Sequence, residues 1–160
     1  MVKAIVYHSN TGHTLAYAKI LGTNLKLPYY SIKEAESLLK KDDEIIYLSW
    51  ICAGRITKLK KVEQKYHVKY IGAVGAYPKT EKYLEELKLG NQINKPFFYL
   101  RGGIDYSKLN GVKKRVVKIV GKTVPKEDKE LSALFKNGGN FVNSENLEEL
   151  IEFIKSEKKK

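Results

Sequence analysis

Short apolar runs alternate along this chain with segments whose apolar residues recur every three or four positions. The first run, Ala4-Ile5-Val6-Tyr7, is rich in β-branched side chains and predicts a short parallel strand buried on both faces. Leu15 to Leu21 begins a helical pattern. Leu27-Pro28-Tyr29-Tyr30 predicts a strand at a sheet edge, because proline cannot serve a central ladder. Ser31 is placed to cap a short helix over Ile32 to Leu39, and Asp42-Asp43 turns the chain into a buried third strand, Glu44 to Ser49. Trp50 to Thr57 reads as loop and Lys58 to Tyr66 as helix. A fourth strand is predicted over Lys69 to Val74, followed by a turn at Gly75-Ala76-Tyr77-Pro78. Thr80 caps a predicted helix, Glu81 to Leu89, with Tyr83, Leu84 and Leu87 at core-facing spacing and Gly90-Asn91 as its stop. Pro96 opens a fifth strand, Phe97 to Leu100. The last helix is Leu147 to Lys155, with Leu147, Leu150, Ile151 and Ile154 on one stripe and Glu145 near its positive end.

Buried strands separated by helices imply an α/β fold: a doubly wound, five-stranded parallel sheet with helices on both faces. Right-handed crossovers and the strand order 2-1-3-4-5 bring the loops after the first, third and fourth strands together at the carboxyl ends of the strands. Those loops are Ser9 to Thr14, Trp50 to Arg55 and Gly75 to Pro78.

Composition bounds the class. With 160 residues, the chain suits one domain spanning 1–160. Its apolar fraction of 42% supports a normal core, and no apolar run approaches the ~20 residues that cross a bilayer. Met1-Val2-Lys3 leads straight into the first strand, so no signal peptide is expected. Cys52 is the only cysteine, which rules out an internal disulfide and fits a reducing, cytoplasmic location. No His, Cys, Asp and Glu cluster has metal spacing, and no nucleophile elbow occurs, so neither a metal site nor a catalytic residue is expected.

Charge is less ordinary. Thirty Lys and Arg against 18 Asp and Glu give a formal +12, a field that favours acidic proteins, anionic membrane surfaces or nucleic acid. The excess lies partly in the tail, 155–160, and partly between Lys108 and Lys126. Solvated surface lysine is the plainer account of it. Nucleic acid is not expected, because the aromatics do not interleave with the basic residues as a stacking platform would.

The first loop carries the most chemistry. A strand running into Ser9-Asn10-Thr11-Gly12-His13-Thr14 and then a helix is a natural anion cradle: the helix presents unpartnered N–H groups and the positive end of its dipole. Ser9, Thr11 and Thr14 add hydroxyls, and Gly12 lets the backbone approach closely. An ordinary capped helix start uses the same residue types. Neither common nucleotide fingerprint fits. There is no G-x-G-x-x-G, and Gly121-Lys122-Thr123 ends like a Walker A motif but has Val116 where its first glycine belongs. A turn of neutral hydroxyls suits a phosphomonoester.

Ser9-Asn10-Thr11-Gly12-His13-Thr14 resembles the FMN-phosphate loop of the flavodoxin family, Thr/Ser-x-Thr-Gly-x-Thr, in the matching place between first strand and first helix. The second loop, Ser49-Trp50-Ile51-Cys52-Ala53-Gly54, is similar to the family's Thr/Ser-Trp followed by a glycine-containing turn. The resemblance implies FMN as cofactor, with Trp50 stacked on the ring and the backbone of Ile51 to Gly54 at its edge. An indole suits that task, since aromatic planes attract at centroid separations of roughly 4.5–7 Å. Trp50 also reads as a core or interface residue. The third loop, Gly75-Ala76-Tyr77, offers a second aromatic face through Tyr77. Arg55 departs from the acidic loops usual in flavodoxins; pointing inward, it would favour the anionic reduced ring. Cys52 reads as a packed thiol, and His13 as a phosphate donor or an exposed side chain.

After the fifth strand, Arg101-Gly102-Gly103-Ile104-Asp105-Tyr106 leads into a helical insertion over about 104–138. Within it, Val112, Val116, Val117 and Val120 lie at helical spacing among Lys113, Lys114, Arg115 and Lys118. Here the chain resembles the flavodoxin-type protoporphyrinogen oxidases, which carry a similar turn and a basic, apolar helix. A basic amphipathic helix suits an anionic membrane, a propionate-bearing porphyrin or an acidic redox protein, or it covers a sheet edge. The expected function is electron transfer by bound FMN, with redox proteins docking at the ring edge. The alternative is a flavin-dependent oxidoreductase of the protoporphyrinogen oxidase type.

Overall fold

A computed structural model describes residues 1–160. The elements in chain order are β1 (Ala4–His8), α1 (His13–Leu25), β2 (Tyr29–Ser31), α2 (Ile32–Leu38), β3 (Glu44–Cys52), β4 (Arg55–Ile56), α3 (Leu59–Glu63) and β5 (His67–Gly75). They continue with α4 (Glu81–Asn91), β6 (Phe97–Arg101), β7 (Gly103–Ile104), α5 (Gly111–Lys122), α6 (Lys129–Asn137), β8 (Gly139–Asn140) and, after a short 3-10 turn, α7 (Glu148–Lys158).

Five parallel strands pair in the order β2-β1-β3-β5-β6, which is the predicted arrangement. Alternation along the strands feeds two cores. Ile46 and Leu48 face the side covered by Tyr17, Ala18 and Leu21 of α1 and Leu150 and Ile154 of α7. Ile45 and Tyr47 face the opposite side, covered by Ala35 of α2 and Leu59 and Val62 of α3. Burial on both faces is why these strands read as continuous apolar runs. Short β2 lies at the edge, as Pro28 predicts, and Ser31 closes a reciprocal capping box with Glu34 at the start of α2.

Several boundaries differ from the sequence expectation. Trp50, Ile51 and Cys52 continue β3 rather than forming a loop, because β4 folds back on them with Ile51 opposite Ile56 and Cys52 opposite Arg55. The intervening Ala53 and Gly54 both have positive φ, 48° and 76°, as a two-residue hairpin turn requires. Helix α3 is shorter than predicted, since the chain must enter β5 at His67, where it pairs with Glu44. Gly90 and Asn91 do not stop α4; they form its last turn, and Gln92 ends it at φ 54°. The final helix runs on to Lys158.

The insertion is closed at its base by a separate two-stranded antiparallel ladder, Gly103 opposite Asn140 and Ile104 opposite Gly139. Gly103 has φ 145°, and a Cβ there would overlap the Gly139 carbonyl oxygen, so only glycine fits the crossing. Helix α5 has no buried residue and α6 buries only Leu134. Val116, Val117 and Val120 of α5 and Phe135 of α6 roof a cavity at the carboxyl ends of the strands.

Candidate functional site

That cavity measures about 590 Å³, a size that suits a small-molecule ligand. All three predicted loops reach it. Ser9, Asn10, Thr11, His13 and Thr14 line one end; Trp50, Ile51, Cys52, Ala53 and Gly54 another; Gly75, Ala76 and Tyr77 a third. Two predicted site residues are placed elsewhere. Gly12 lies behind the turn and shapes it, with φ 100°, a conformation that favours glycine. Ser49 is fully buried, and its hydroxyl lies 2.8 Å from the Thr57 carbonyl oxygen and 2.7 Å from the Thr57 hydroxyl. It anchors the β3–β4 hairpin from beneath.

The first loop has an open helix end. No side chain caps α1; the Gly12 amide donates to the Ser9 hydroxyl at 3.2 Å, and Thr11 pairs with His13 Nδ1 at 3.0 Å. Thr14 is 1% exposed, and its Oγ1 has no hydrogen-bond partner. A buried hydroxyl left this way costs about 1–3 kcal/mol, so it marks a place where an acceptor or donor belongs. The Trp50 indole Nε1 is likewise buried and unpartnered. Both orphans belong to residues that line the cavity, and both are of the type an anionic, heteroaromatic ligand can satisfy.

Aromatic rings dominate the far side. Tyr77 sits 5.2 Å from Tyr83 and 5.8 Å from Phe135, so its plane is held by α4 and α6. Burial pushes the Tyr83 hydroxyl up to about 12 and raises that of Tyr77, so both rings stay neutral. Trp50 is flanked by the His8 ring at 6.1 Å and by Lys113 Nζ at 5.1 Å from its own ring. Burial, together with Lys58 and Lys113, lowers the His8 imidazole below its ordinary value. His13 is also lowered, by burial first, with Asp105 opposing and Lys108 reinforcing. Both therefore sit neutral beside the first loop near neutral pH.

Four positioning residues escape the sequence pattern. Asn91, 6% exposed, accepts from the Ile56 amide at 2.9 Å and donates to the carbonyls of Gly54 at 3.0 Å and Leu87 at 2.9 Å. It ties the hairpin turn to α4. Arg101 donates to the Ala76 carbonyl at 3.2 Å, pairs with Glu130 at 2.8 Å and lies 3.7 Å above the Phe141 ring, joining the third loop to α6. Lys113 Nζ donates to Asn10 Oδ1 at 2.6 Å. Lys108 Nζ would lie 3.6 Å from a Cβ built on Gly12, so its ammonium rests on the first turn. The predicted turn of neutral groups thus receives its cations from the insertion, and the basic run Lys108 to Lys118 was the one signal of this.

Arg55 does not act on the cavity. It is exposed, does not line the space, and donates to the Gly90 carbonyl at the end of α4. Carbonyls at a helix C-terminus attract a cation, which accounts for its outward course.

No curated protein matches the chain. The model of the flavodoxin domain matches residues 4–132, from β1 through the roof of the cavity into α6. With the sheet order and the first-loop geometry, this means that the chain belongs to the flavodoxin domain family, a family of flavin-associated domains.

Proposed function

We propose that the chain binds one FMN non-covalently in this cavity and works as an electron carrier. The observation that carries the reading is the buried, partnerless Thr14 hydroxyl at an uncapped helix start, inside a cavity that also brings Trp50 and Tyr77 together. In this reading Ser9 to Thr14 hold the phosphate, with Gly12 setting the turn. Trp50 offers a ring face, the backbone of Ile51 to Gly54 the ring edge, and Gly75 to Tyr77 the opposite wall. Bound flavin supplies reversible electron uptake; the chain supplies orientation, exclusion of water and the surrounding charge. The proposed location is the cytoplasm, consistent with the free thiol of Cys52. No helix is long and apolar enough to cross a membrane.

Acidic redox proteins are the proposed partners. Val112 and Ile119, 74% and 62% exposed, stand on the outside of α5 beside Arg115 and Lys118, and the net charge of +12 complements an acidic surface. Peripheral contact with an anionic membrane uses the same chemistry. The test is electron exchange: FMN-loaded, reduced protein should pass electrons to a small acidic redox protein faster than free reduced FMN does, and more slowly at high salt. Equal rates for loaded protein and free FMN would remove the carrier reading.

One observation favours a second reading, a flavin-dependent oxidoreductase of the protoporphyrinogen oxidase type. Val116, Val117 and Val120 of α5 line the cavity and give it an apolar roof that can cover a substrate, while Val112 of the same stripe faces outward. Turnover of protoporphyrinogen above a flavin-only control supports it, and no excess over that control removes it.

A further inference from the structure

The first loop contains no cation of its own, and the structure brings it two from the insertion. Lys108 rests on Gly12, and Lys113 bonds Asn10 at 2.6 Å. Lys108, 61% exposed, has one long ion pair, to Asp105 at 3.8 Å, and Lys113 has no carboxylate within ion-pair distance. His13, the first residue of α1, is lowered by burial first, with Asp105 opposing and Lys108 reinforcing, so near neutral pH it adds no positive charge to the turn. The partnerless Thr14 hydroxyl is a separate sign that an acceptor belongs here.

We propose that Lys108 and Lys113 form a cationic latch that makes flavin retention depend on the phosphate and seats the insertion over the bound ring. The proposal rests on the FMN reading above and adds to it which residues select a phosphorylated flavin over riboflavin. Two ammonium groups brought to one turn repel each other until a dianion lies between them; a phosphate oxygen then accepts short, charge-assisted hydrogen bonds. Helix α5, with no buried residue, is held to the body by the Gly103–Asn140 ladder, by α6 and by the Lys113 contacts. With so little burial holding it, a phosphate contact adds appreciably to its seating. The coupling is reciprocal: what phosphate does to the helix, the helix does to phosphate affinity.

The experiment measures dissociation constants for FMN and riboflavin by fluorescence titration, at low and high salt. Wild type is compared with Lys108→Ala, Lys113→Ala, the charge-keeping Lys108→Arg, and Lys19→Ala as a remote loss of one charge on exposed α1 surface. Each latch variant should lose ~10-fold in FMN affinity, the size of one charge-assisted hydrogen bond, with riboflavin affinity nearly unchanged. Lys108→Arg should recover most of the loss, Lys19→Ala should show none, and the salt dependence should shrink in both latch variants. Hydrogen exchange should show residues 105–122 protected by FMN and not by riboflavin. If wild type binds FMN but the latch variants keep its preference for FMN, and FMN leaves exchange in 105–122 unchanged, the latch is refuted while the FMN reading stands. If wild type binds no flavin at all, both fall together.

Discussion

Replacing Thr14 by valine should move stability and ligand affinity in opposite directions. Threonine and valine have the same branched outline, so the change exchanges a hydroxyl for a methyl at a position 1% exposed. In the free protein that hydroxyl has no partner, and removing an unsatisfied buried polar group recovers about 1–3 kcal/mol. A water molecule reaching the hydroxyl brings the gain to the bottom of that range. For a chain of this size each kcal/mol moves the melting temperature by about 2–4 °C, so the free Thr14→Val protein should melt measurably higher. With FMN the sign reverses. A hydrogen bond to a charged oxygen is worth about 1.5–3 kcal/mol, so FMN affinity should fall by roughly 10- to 150-fold. Differential scanning calorimetry without ligand and a fluorescence titration with FMN read the two halves. A free variant that melts lower than wild type, or one that binds FMN as tightly, refutes the reasoning, because the hydroxyl would then serve the fold.

Three further outcomes follow from the geometry. Asn91→Ala removes three hydrogen bonds, one of them to the buried Ile56 amide, and should cost about 2–4 kcal/mol in chemical denaturation while speeding hydrogen exchange at 52–57; unchanged exchange there would show that the hairpin holds itself. Gly103→Ala drives a Cβ onto the Gly139 carbonyl and should open the ladder at the base of the insertion, costing more than about 1 kcal/mol and exposing 105–138 to limited proteolysis; wild-type resistance to protease would count against that ladder as the anchor. The third concerns pH. His8 and His13 have imidazoles lowered below 6.5, so the unfolded chain binds these protons more readily. Their contribution is complete above pH ~6.5 and is lost as pH falls through the lowered values. Stability should decline on acidification from pH 7 towards 5, and His8→Asn with His13→Gln should flatten that slope; a slope unchanged in the double variant would place the titration elsewhere. The lowered carboxyls of Glu34 and Glu44 enter only below 4.5, outside this window.

What the sequence made legible was local. The β-branched run after Ala4, the cap at Ser31, and the strand–hydroxyl turn–helix at Ser9 to Thr14 each encode their structure within a few residues. The expected sheet order is the one the strands adopt; crossover handedness adds only the face on which each helix packs. The site's supports were not legible, because each acts across a long stretch of chain. Asn91 reaches the hairpin 35 residues away, and by local rules it reads as a helix stop. Lys113 meets Asn10 across 103 residues, and in sequence it is one lysine in a basic run. The length of β3 was missed for a similar reason: Trp50 to Cys52 become strand only once β4 returns to pair with them. The place of Arg55 after the tryptophan segment leaves its direction open, and it is a carbonyl at the end of α4, that of Gly90, that takes its guanidinium.

One flavin mononucleotide is proposed to fit between the first loop, Trp50 and Tyr77. The decisive measurement titrates the purified protein with FMN, desalts it, and records its absorbance and fluorescence. One equivalent of flavin should be retained, with ring fluorescence quenched by stacking and partly restored in Trp50→Leu. Protein that emerges free of flavin, or that keeps flavin with its free-solution fluorescence, would contradict the proposed fit.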